Sequence, residues 1–320
     1  KGASTPVPVA VAAANAAGNL EVIKLEAELL ELVIDIAGET ELRVAALSAL
    51  SRIDSSGFGE AMDVARKDFA VELRKAATRL QANVDPSIAA PQLNAVLVEG
   101  SIAEQQVALA TLATMDGSVS DEIILRWFGK YVAGTLPAAL ALDVVDAAEL
   151  RSDARIVEGL EKWRGGIPED DSLGEMKIVL EGGSEEAGRR VFLENPVASC
   201  TRCHRIGDVG SDIGPSMDGI GARLTREQLV ESIVFPNRTI AEGFETVVVT
   251  TNDEEVHAGI LKTESDDELI LNTVDQGAVR ISKGDVQSRD TGLSGMPEGF
   301  IDILSKQDIR DLVEYLFAKK

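Results

Sequence analysis

From Leu20 to about Leu180 apolar residues return every three or four positions, which is the period of a helix with one buried stripe. "NLEVIKLEAELLELVIDIAG" shows it and stops at Gly38. "TELRVAALSALSRI" follows, with Thr40 as the expected N-cap and Leu42, Ala45, Ala46, Ala49 and Leu50 on one stripe. The next run, "EAMDVARKDFAVELRKAATRLQ", ends near "NVDPS". Then come "APQLNAVLVEG", "SIAEQQVALATLATMDG", "SDEIILRWFGKYVAG" and "PAALALDVVDAAELRSDARIVEGLEKWRGG". Each is about the length of one helix and closes on Gly, Pro or Asp. Trp127, Phe128, Tyr131 and Trp163 fall inside these segments and are expected as core or helix-contact aromatics.

Two segments share a pattern: "TELRVAALSAL" from residue 40 and "AEQQVALATLATM" from residue 103. Both have a polar opening, then valine, then alanine-rich leucine periodicity. Small residues let helices approach closely, and stacked helix pairs bury a continuous core that one pair cannot. The pattern resembles HEAT or armadillo repeats of irregular period, with an irregular helical bundle as the alternative.

"RGGIPEDDSLGEMKIVLEGG" is a glycine- and acid-rich boundary. After it "SEEAGRRVFLENPVASC" reads as a helix capped by Ser184, with Glu185 and Glu186 in its first turn. Between Arg238 and Asp290 the texture changes to short β-branched runs separated by "TND", "ESDD" and "DQG", which predicts about four strands. "SKQDIRDLVEYLFAKK" returns to helix, capped by Ser305, with Ile309, Leu312, Val313 and Leu316 as its stripe. The expected divisions are therefore a linker or processed segment over 1–19, a helical-repeat domain over 20–182, and a last domain over 183–320 with a β-rich insertion over 238–290.

The chain has 320 residues, 54 of them acidic and 31 basic, for a formal net charge of -23. No positive field exists to attract nucleic acid or an anionic membrane surface. No apolar run is long enough for a membrane span. The opening "KGASTPVPVAVAAANAAGNL" is small and apolar, without the order of an intact signal peptide, and three readings stand for it: the remnant of a processed segment, an interdomain linker, or a first helix. Because it begins at Lys1 rather than methionine, a mature or excised product is expected.

Both cysteines and one of the two histidines lie within "ASCTRCHRIG". No cysteine or histidine precedes Cys200. A zinc site would need about four ligands, and only Cys200, Cys203, His204 and the remote His257 are on offer. A redox dithiol would expect an α/β setting that the pattern lacks. The spacing Cys-x-x-Cys-His is the mark of covalent haem attachment: two sulfurs meet the macrocycle edge while the next residue reaches the iron.

The surroundings carry a resemblance. "GRRVFLENPVASCTRCHRI", "GSDIGPSMDGIGARLTREQLVESIVFPNRTIAEGFETVVVT" and "LSGMPEGFIDILSKQDIRDLVEYL" resemble, in that order, a class I cytochrome c domain. More closely they resemble the haem-binding domain of planctomycete and verrucomicrobial type, which follows helical repeats in large proteins. The resemblance covers roughly the last 135 residues. The fold class it implies is mainly α: a HEAT/armadillo-like array, then a class I cytochrome c domain with a small inserted β subdomain.

Carried onto this chain, the resemblance implies one covalent haem c. Cys200 and Cys203 are its thioether anchors and His204 its proximal ligand. Pro215 packs behind His204, its carbonyl accepting from Nδ1. Met296 of "SGMP" is the distal ligand, so His204 and Met296 are the iron ligands. Met217 and His257 are the rivals for that distal place. Arg223 and Arg226 are candidates for a propionate. The end helices are expected to cross, with Gly188 at the approach and Phe192 against Leu312, Tyr315 and Leu316. No catalytic residues are implied.

The implied function is one-electron transfer through a low-spin haem, as a relay or subunit rather than a complete enzyme. The implied partner is a redox protein, such as a dehydrogenase or a larger electron-transfer complex. Residence is periplasmic or otherwise extracytoplasmic, including the periphery of a membrane complex. Two alternatives stand: a helical scaffold with a subsidiary haem, and a haem enzyme or sensor with a labile distal ligand.

Overall fold

The computed structural model describes residues 5–53, 55–83, 86–273 and 276–320. Val84, Asp85 and Asp275, from the "NVDPS" and "DQG" breaks, lie outside the described residues, as do residues 1–4. The chain is helix-rich with an antiparallel sheet toward its C-terminus, and it divides into two compact units, Lys1–Gly165 and Gly166–Lys320.

The first unit runs through α1 (Val7–Asn19), α2 (Glu26–Ile34), α3 (Thr40–Arg52), α4 (Phe58–Ala65) and α5 (Val71–Leu80). It continues with α6 (Pro86–Glu99), α7 (Ile102–Thr114), α8 (Ser118–Val132), α9 (Ala141–Glu149) and α10 (Ala154–Gly165). The odd-numbered helices stack in one layer: α1 on α3, α3 on α5, α5 on α7, α7 on α9. In the other layer α2 meets α4 and α6 meets α8. The result is a two-layer array of helix hairpins.

Alanine makes the stacking close. Ala46 and Ala49 of α3, Ala77 of α5 and Ala108 of α7 are fully buried beside Leu47, Leu50, Leu73 and Leu109. Of the three readings of the opening segment, α1 is the first helix, in place of the linker or processed segment taken over 1–19. Gly18 lets it settle on α3, since a Cβ there would stand 2.8 Å from the Ala49 Cα. Glu39 rather than Thr40 occupies the N-cap position of α3.

A repeated polar device joins the hairpins. Arg43 donates to the Val33 carbonyl at 2.9 Å and pairs with Asp68 at 2.6 Å. Arg74 donates to the Asp68 carbonyl at 2.7 Å and pairs with Glu104 at 2.5 Å. Gln105 donates to the Leu97 carbonyl at 2.8 Å, and Arg151 bonds the Met115 carbonyl at 2.8 Å and Asp121 at 2.6 Å. Each long side chain occupies carbonyls that a neighbouring helix end or loop would otherwise leave unsatisfied. Trp163 of α10 meets the Phe128 and Tyr131 rings of α8 edge-on, and those two rings are tilted against each other.

In the second unit α11 (Glu185–Glu194) crosses α15 (Lys306–Phe317). Ser184 caps α11 by accepting from the Ala187 N–H, and Ser305 caps α15 in a box with Asp308. Gly188 makes the crossing close: a Cβ there would lie 1.9 Å from the Asp311 carbonyl oxygen. The Phe192 and Tyr315 rings meet with centroids 5.9 Å apart. Two further helices, α12 (Ile220–Arg223) and α13 (Arg226–Val234), pack on α15, and α14 (Phe300–Ile303) packs on α13. The 3-10 turn Gly174–Val179 also packs on α15 and α13. The second unit therefore starts at Gly166 rather than at the expected 183, because "GEMKIVL" buries Ile178 and Val179 in it.

The sheet consists of β1 (Glu245–Thr251), β2 (Val256–Glu264), β3 (Glu268–Thr273), β4 (Gly277–Ser282) and β5 (Val286–Ser294), all antiparallel, in the order β4-β3-β2-β1-β5. It starts and ends later than the expected 238–290 and holds a fifth strand, which runs into the "SGMP" loop. Its two edge strands are consecutive in sequence, joined only by the turn Lys283–Asp285. Flat strands set about 4.8 Å apart would hold the edges roughly 19 Å apart, and so short a 3-10 link spans about half of that. The sheet must therefore curl toward a barrel, and register shifts in β1–β5 and β2–β3 supply the bends. Val249, Leu269, Leu271 and Ile281 fill the inside. Asn252 closes one end, bonding the Asp285 and Gly284 carbonyls at 2.8 and 3.0 Å.

Candidate functional site

α11 ends in a loop that is tied before it delivers the first cysteine. The Asn195 side chain accepts from the N–H groups of Val197 and Ala198 at 2.9 and 3.0 Å, and the Ser199 N–H donates to the Asn195 carbonyl at 3.0 Å. Ser199 takes φ of 45°, a left-handed conformation uncommon for a non-glycine residue. A 3-10 turn, Cys200–Arg202, follows. Its bonds from Cys203 and His204 N–H to the Cys200 carbonyl, at 3.2 and 2.9 Å, set both thiols and the imidazole on one compact turn.

The loop beyond folds back behind the histidine. The Gly214 N–H donates to the Cys203 carbonyl at 2.6 Å, and His204 Nδ1 lies 2.8 Å from the Pro215 carbonyl oxygen. A carbonyl only accepts, so Nδ1 carries the proton and the Nε2 lone pair is left for a ligand. Burial lowers the His204 pKa and so favours the neutral ring at pH 7, an effect the Pro215 bond only partly opposes. Gly214 is required by contact: a Cβ would stand 2.8 Å from His204 Cε1 and 2.9 Å from Nδ1.

Charged groups hold the loop's outer side. Arg205 reaches Asp212 at 2.7 Å and Asp218 at 3.2 Å, and the Gly207 N–H donates to Asp218 at 2.8 Å. Arg223 donates to the Ser216 carbonyl at 2.7 Å, so its role here is to brace this loop. Arg226 pairs with Glu314 at 2.8 Å, donates to the Leu180 carbonyl at 3.0 Å and lies over the Phe317 ring. Arg226 also lines an open cavity of about 420 Å³ with Leu180, Gly221, Thr225 and Phe317. That cavity shares no residue with the cysteine turn.

Both cysteines are free. Burial pushes the Cys200 thiol up to about 11 and raises Cys203 as well, so both are protonated at neutral pH. Among the described residues no three His, Cys, Asp or Glu side chains converge as a metal site. Two neutral soft sulfurs and an imidazole with a free Nε2 suit covalent anchoring of a planar macrocycle with one axial nitrogen.

Cys200, Cys203, His204 and Pro215 are thus brought together. Met296 stands half-buried on the separate loop after β5, where its N–H donates to Ser294 Oγ at 3.1 Å. Met217 is buried, with its N–H bonded to the Arg205 carbonyl at 2.8 Å, on the same loop that braces His204 from behind. His257 lies in β2 opposite Val249, with Nε2 3.6 Å from Glu255. Sequence reasoning passed over Gly214 and Asn237. Gly214 was signalled by its place before Pro215; Asn237, whose contacts come from residues remote in sequence, carried no local signal.

No protein-family model matches the chain, and no curated protein matches it either.

Proposed function

We propose that this chain is an electron-transfer protein that carries one covalent haem c in its C-terminal unit, a domain of class I cytochrome c type, after a HEAT-like helical array. The observation that carries the reading is the His204–Pro215 bond, which leaves Nε2 free on the same turn as two protonated thiols. When bound, the haem supplies a one-electron couple whose potential follows axial ligation, burial and hydrogen bonding. Cys200 and Cys203 are its anchors. His204 is the proximal ligand, its tautomer fixed by Pro215 and its position by Gly214.

Met296 is the distal ligand. Met217 is disfavoured because it belongs to the bracing loop, two residues from Pro215. His257 is disfavoured because its strand register places it against β1 and Glu255. A methionine that completes the ligand set leaves no position for oxygen or peroxide, which suits a relay better than an oxidase. The crossing of α11 and α15 through Gly188 supports the class I assignment, since it is the approach the resemblance implies.

Partner and location follow from the same reading: a redox protein, such as a dehydrogenase or a larger complex, outside the cytoplasm. Among the described residues no helix is long and apolar enough to cross a membrane. The stacked hairpins of the first unit favour a second role, a scaffold that holds the haem unit at its partner.

The test is expression with a cytochrome c maturation system. The expected result is a chain mass increased by one haem that survives denaturation, lost in the variant Cys200→Ala with Cys203→Ala. A low-spin spectrum with the sulfur-to-iron charge-transfer band is expected in the oxidised protein. A chain that emerges without covalent haem under these conditions refutes the reading.

A further inference from the structure

The "SGMP" loop reaches its place only after the chain has travelled through the whole five-stranded insertion. A loop at the far end of such an insertion would follow every movement of the sheet unless something tied it back. One side chain does so from both shoulders. Asn237, just past the C-terminal end of α13, accepts from the Ser294 N–H at 2.7 Å through Oδ1. Through Nδ2 it donates to Glu298 Oε1 at 2.5 Å. Between these bonds Ser294 Oγ accepts from the Met296 N–H at 3.1 Å. The β1–β5 register shifts between Glu245 and Val247, beside Ser294, where the strand gives way to the loop.

Asn237 itself is held. It follows the buried Pro236 and lies in a turn closed by the bond from the Arg238 N–H to the Phe235 carbonyl at 3.0 Å. Arg238 stacks over Phe235, 3.7 Å from the ring centroid. A primary amide is the group that can serve both shoulders at once, because it offers an acceptor and a donor on one planar end. A carboxylate at 237 would face Glu298 with like charge; an apolar residue would leave both bonds unmade.

We infer that Asn237 is a positioning residue that holds the Met296 loop against α13 and thereby keeps the sulfur on the iron. This rests on the proposed role of Met296. The clamp makes distal ligation a property of the α13–loop junction rather than of the loop alone. Releasing it turns a closed six-ligand site into one that admits an outside ligand, with the haem still anchored at Cys200 and Cys203.

The experiment compares wild type, Asn237→Leu, Asn237→Asp and the double variant Asn237→Asp with Glu298→Gln, each matured with covalent haem. The readouts are the sulfur-to-iron band of the oxidised protein, carbon monoxide binding to the reduced protein, and amide exchange at Ser294 and Met296 in the haem-free chain. Wild type is expected to show the band and exclude carbon monoxide. Asn237→Leu is expected to keep its haem and helical circular dichroism, lose the band and bind carbon monoxide. Its two amides should exchange about tenfold faster or more. Asn237→Asp is expected to behave similarly, and the double variant to recover the band, because the amide at 298 then donates to the carboxylate at 237.

A band and exchange rates in Asn237→Leu equal to wild type overturn the inference while the Met296 reading stands. Should Asn237→Leu fail to fold, the Asp pair decides: no difference between the single and double variants overturns the inference. A wild-type spectrum without the band overturns the Met296 reading and the inference with it.

Discussion

Replacing Gly188 with alanine tests the helix crossing on which the second unit depends. An added Cβ would lie 1.9 Å from the Asp311 oxygen, 2.5 Å from its carbon and 2.7 Å from Tyr315 Cβ, where ordinary contact begins near 3.4 Å. Two of these neighbours are backbone atoms, so no rotamer change relieves the overlap. α11 and α15 must separate by about 1.5 Å, the difference between the first and last of those distances. A gap of even 0.5–1 Å forfeits about a quarter to a half of each dispersion contact across it.

The side chains at the crossing include Val191, Phe192, Ile309, Leu312, Val313, Tyr315 and Leu316, all buried. Their burial is worth roughly 1.5–3 kcal/mol each. Losing about a quarter of that, together with the 2.7 Å bond from the Ser184 N–H to Asp311, costs about 3–7 kcal/mol. Alanine returns about 1 kcal/mol through helix propensity. The net loss is about 2–6 kcal/mol, a fall of roughly 5–25 °C in the melting temperature of a unit this size.

The control is Gly129→Ala in α8, where a Cβ meets nothing within 4 Å and the propensity gain of about 1 kcal/mol should stand alone. Scanning calorimetry and guanidinium titration followed by circular dichroism would measure both. A Gly188→Ala protein as stable as wild type would falsify the close crossing, because no compensation of that size is available at a backbone contact.

Three further outcomes are expected. Arg43→Met leaves the Asp68 carboxylate buried without its partner, with both side chains under a tenth exposed; it should cost about 3–5 kcal/mol in urea titration, and a cost below about 1 kcal/mol would remove the arginine device as a stabiliser. Glu104 is held down to about 2 chiefly by the Arg74 bond; a carboxyl lowered from 4.5 stabilises the fold above its unfolded pKa. That contribution, about 2–3 kcal/mol at neutral pH, should fade as pH falls from about 4.5 toward about 2. Glu104→Gln should flatten the stability profile in that window, and an unchanged slope would refute the assignment. Gly214→Ala should push the His204 ring off Pro215, seen as loss of a slowly exchanging Nδ1 proton by NMR; a proton as protected as in wild type would show that the glycine is not needed.

The cysteine turn was legible because its geometry is local. Cys200, Cys203 and His204 are separated by so few bonds that a single 3-10 turn fixes them, and the spacing announces it. The caps at Ser184 and Ser305 were legible for the same reason. The repeat was only half seen. Arg43, Arg74 and Gln105 stand at even spacing, with the two matching segments at 40 and 103 being alternate members of the series. Apolar periodicity hid it, since these side chains are polar and their partners are carbonyls of other helices. The 1–19 segment stayed open between linker, processed remnant and first helix because small residues suit all three; Ala14, Ala17 and Gly18 settle α1 on α3 only in the folded unit.

What the sequence alone determined is what short-range physics controls: the helical period of the first half, the change to strands after Arg238, and the grouping of two cysteines and a histidine on one turn at Cys200. The tertiary structure decided how far the sheet curls, that Arg226 is engaged by Glu314, and that Asn237 ties down the Met296 loop. Each of these joins residues many positions apart, and the ends of a long loop meet only when the surrounding packing offsets the entropy of closing it. That balance belongs to the folded whole, so no local stretch of the chain could declare it.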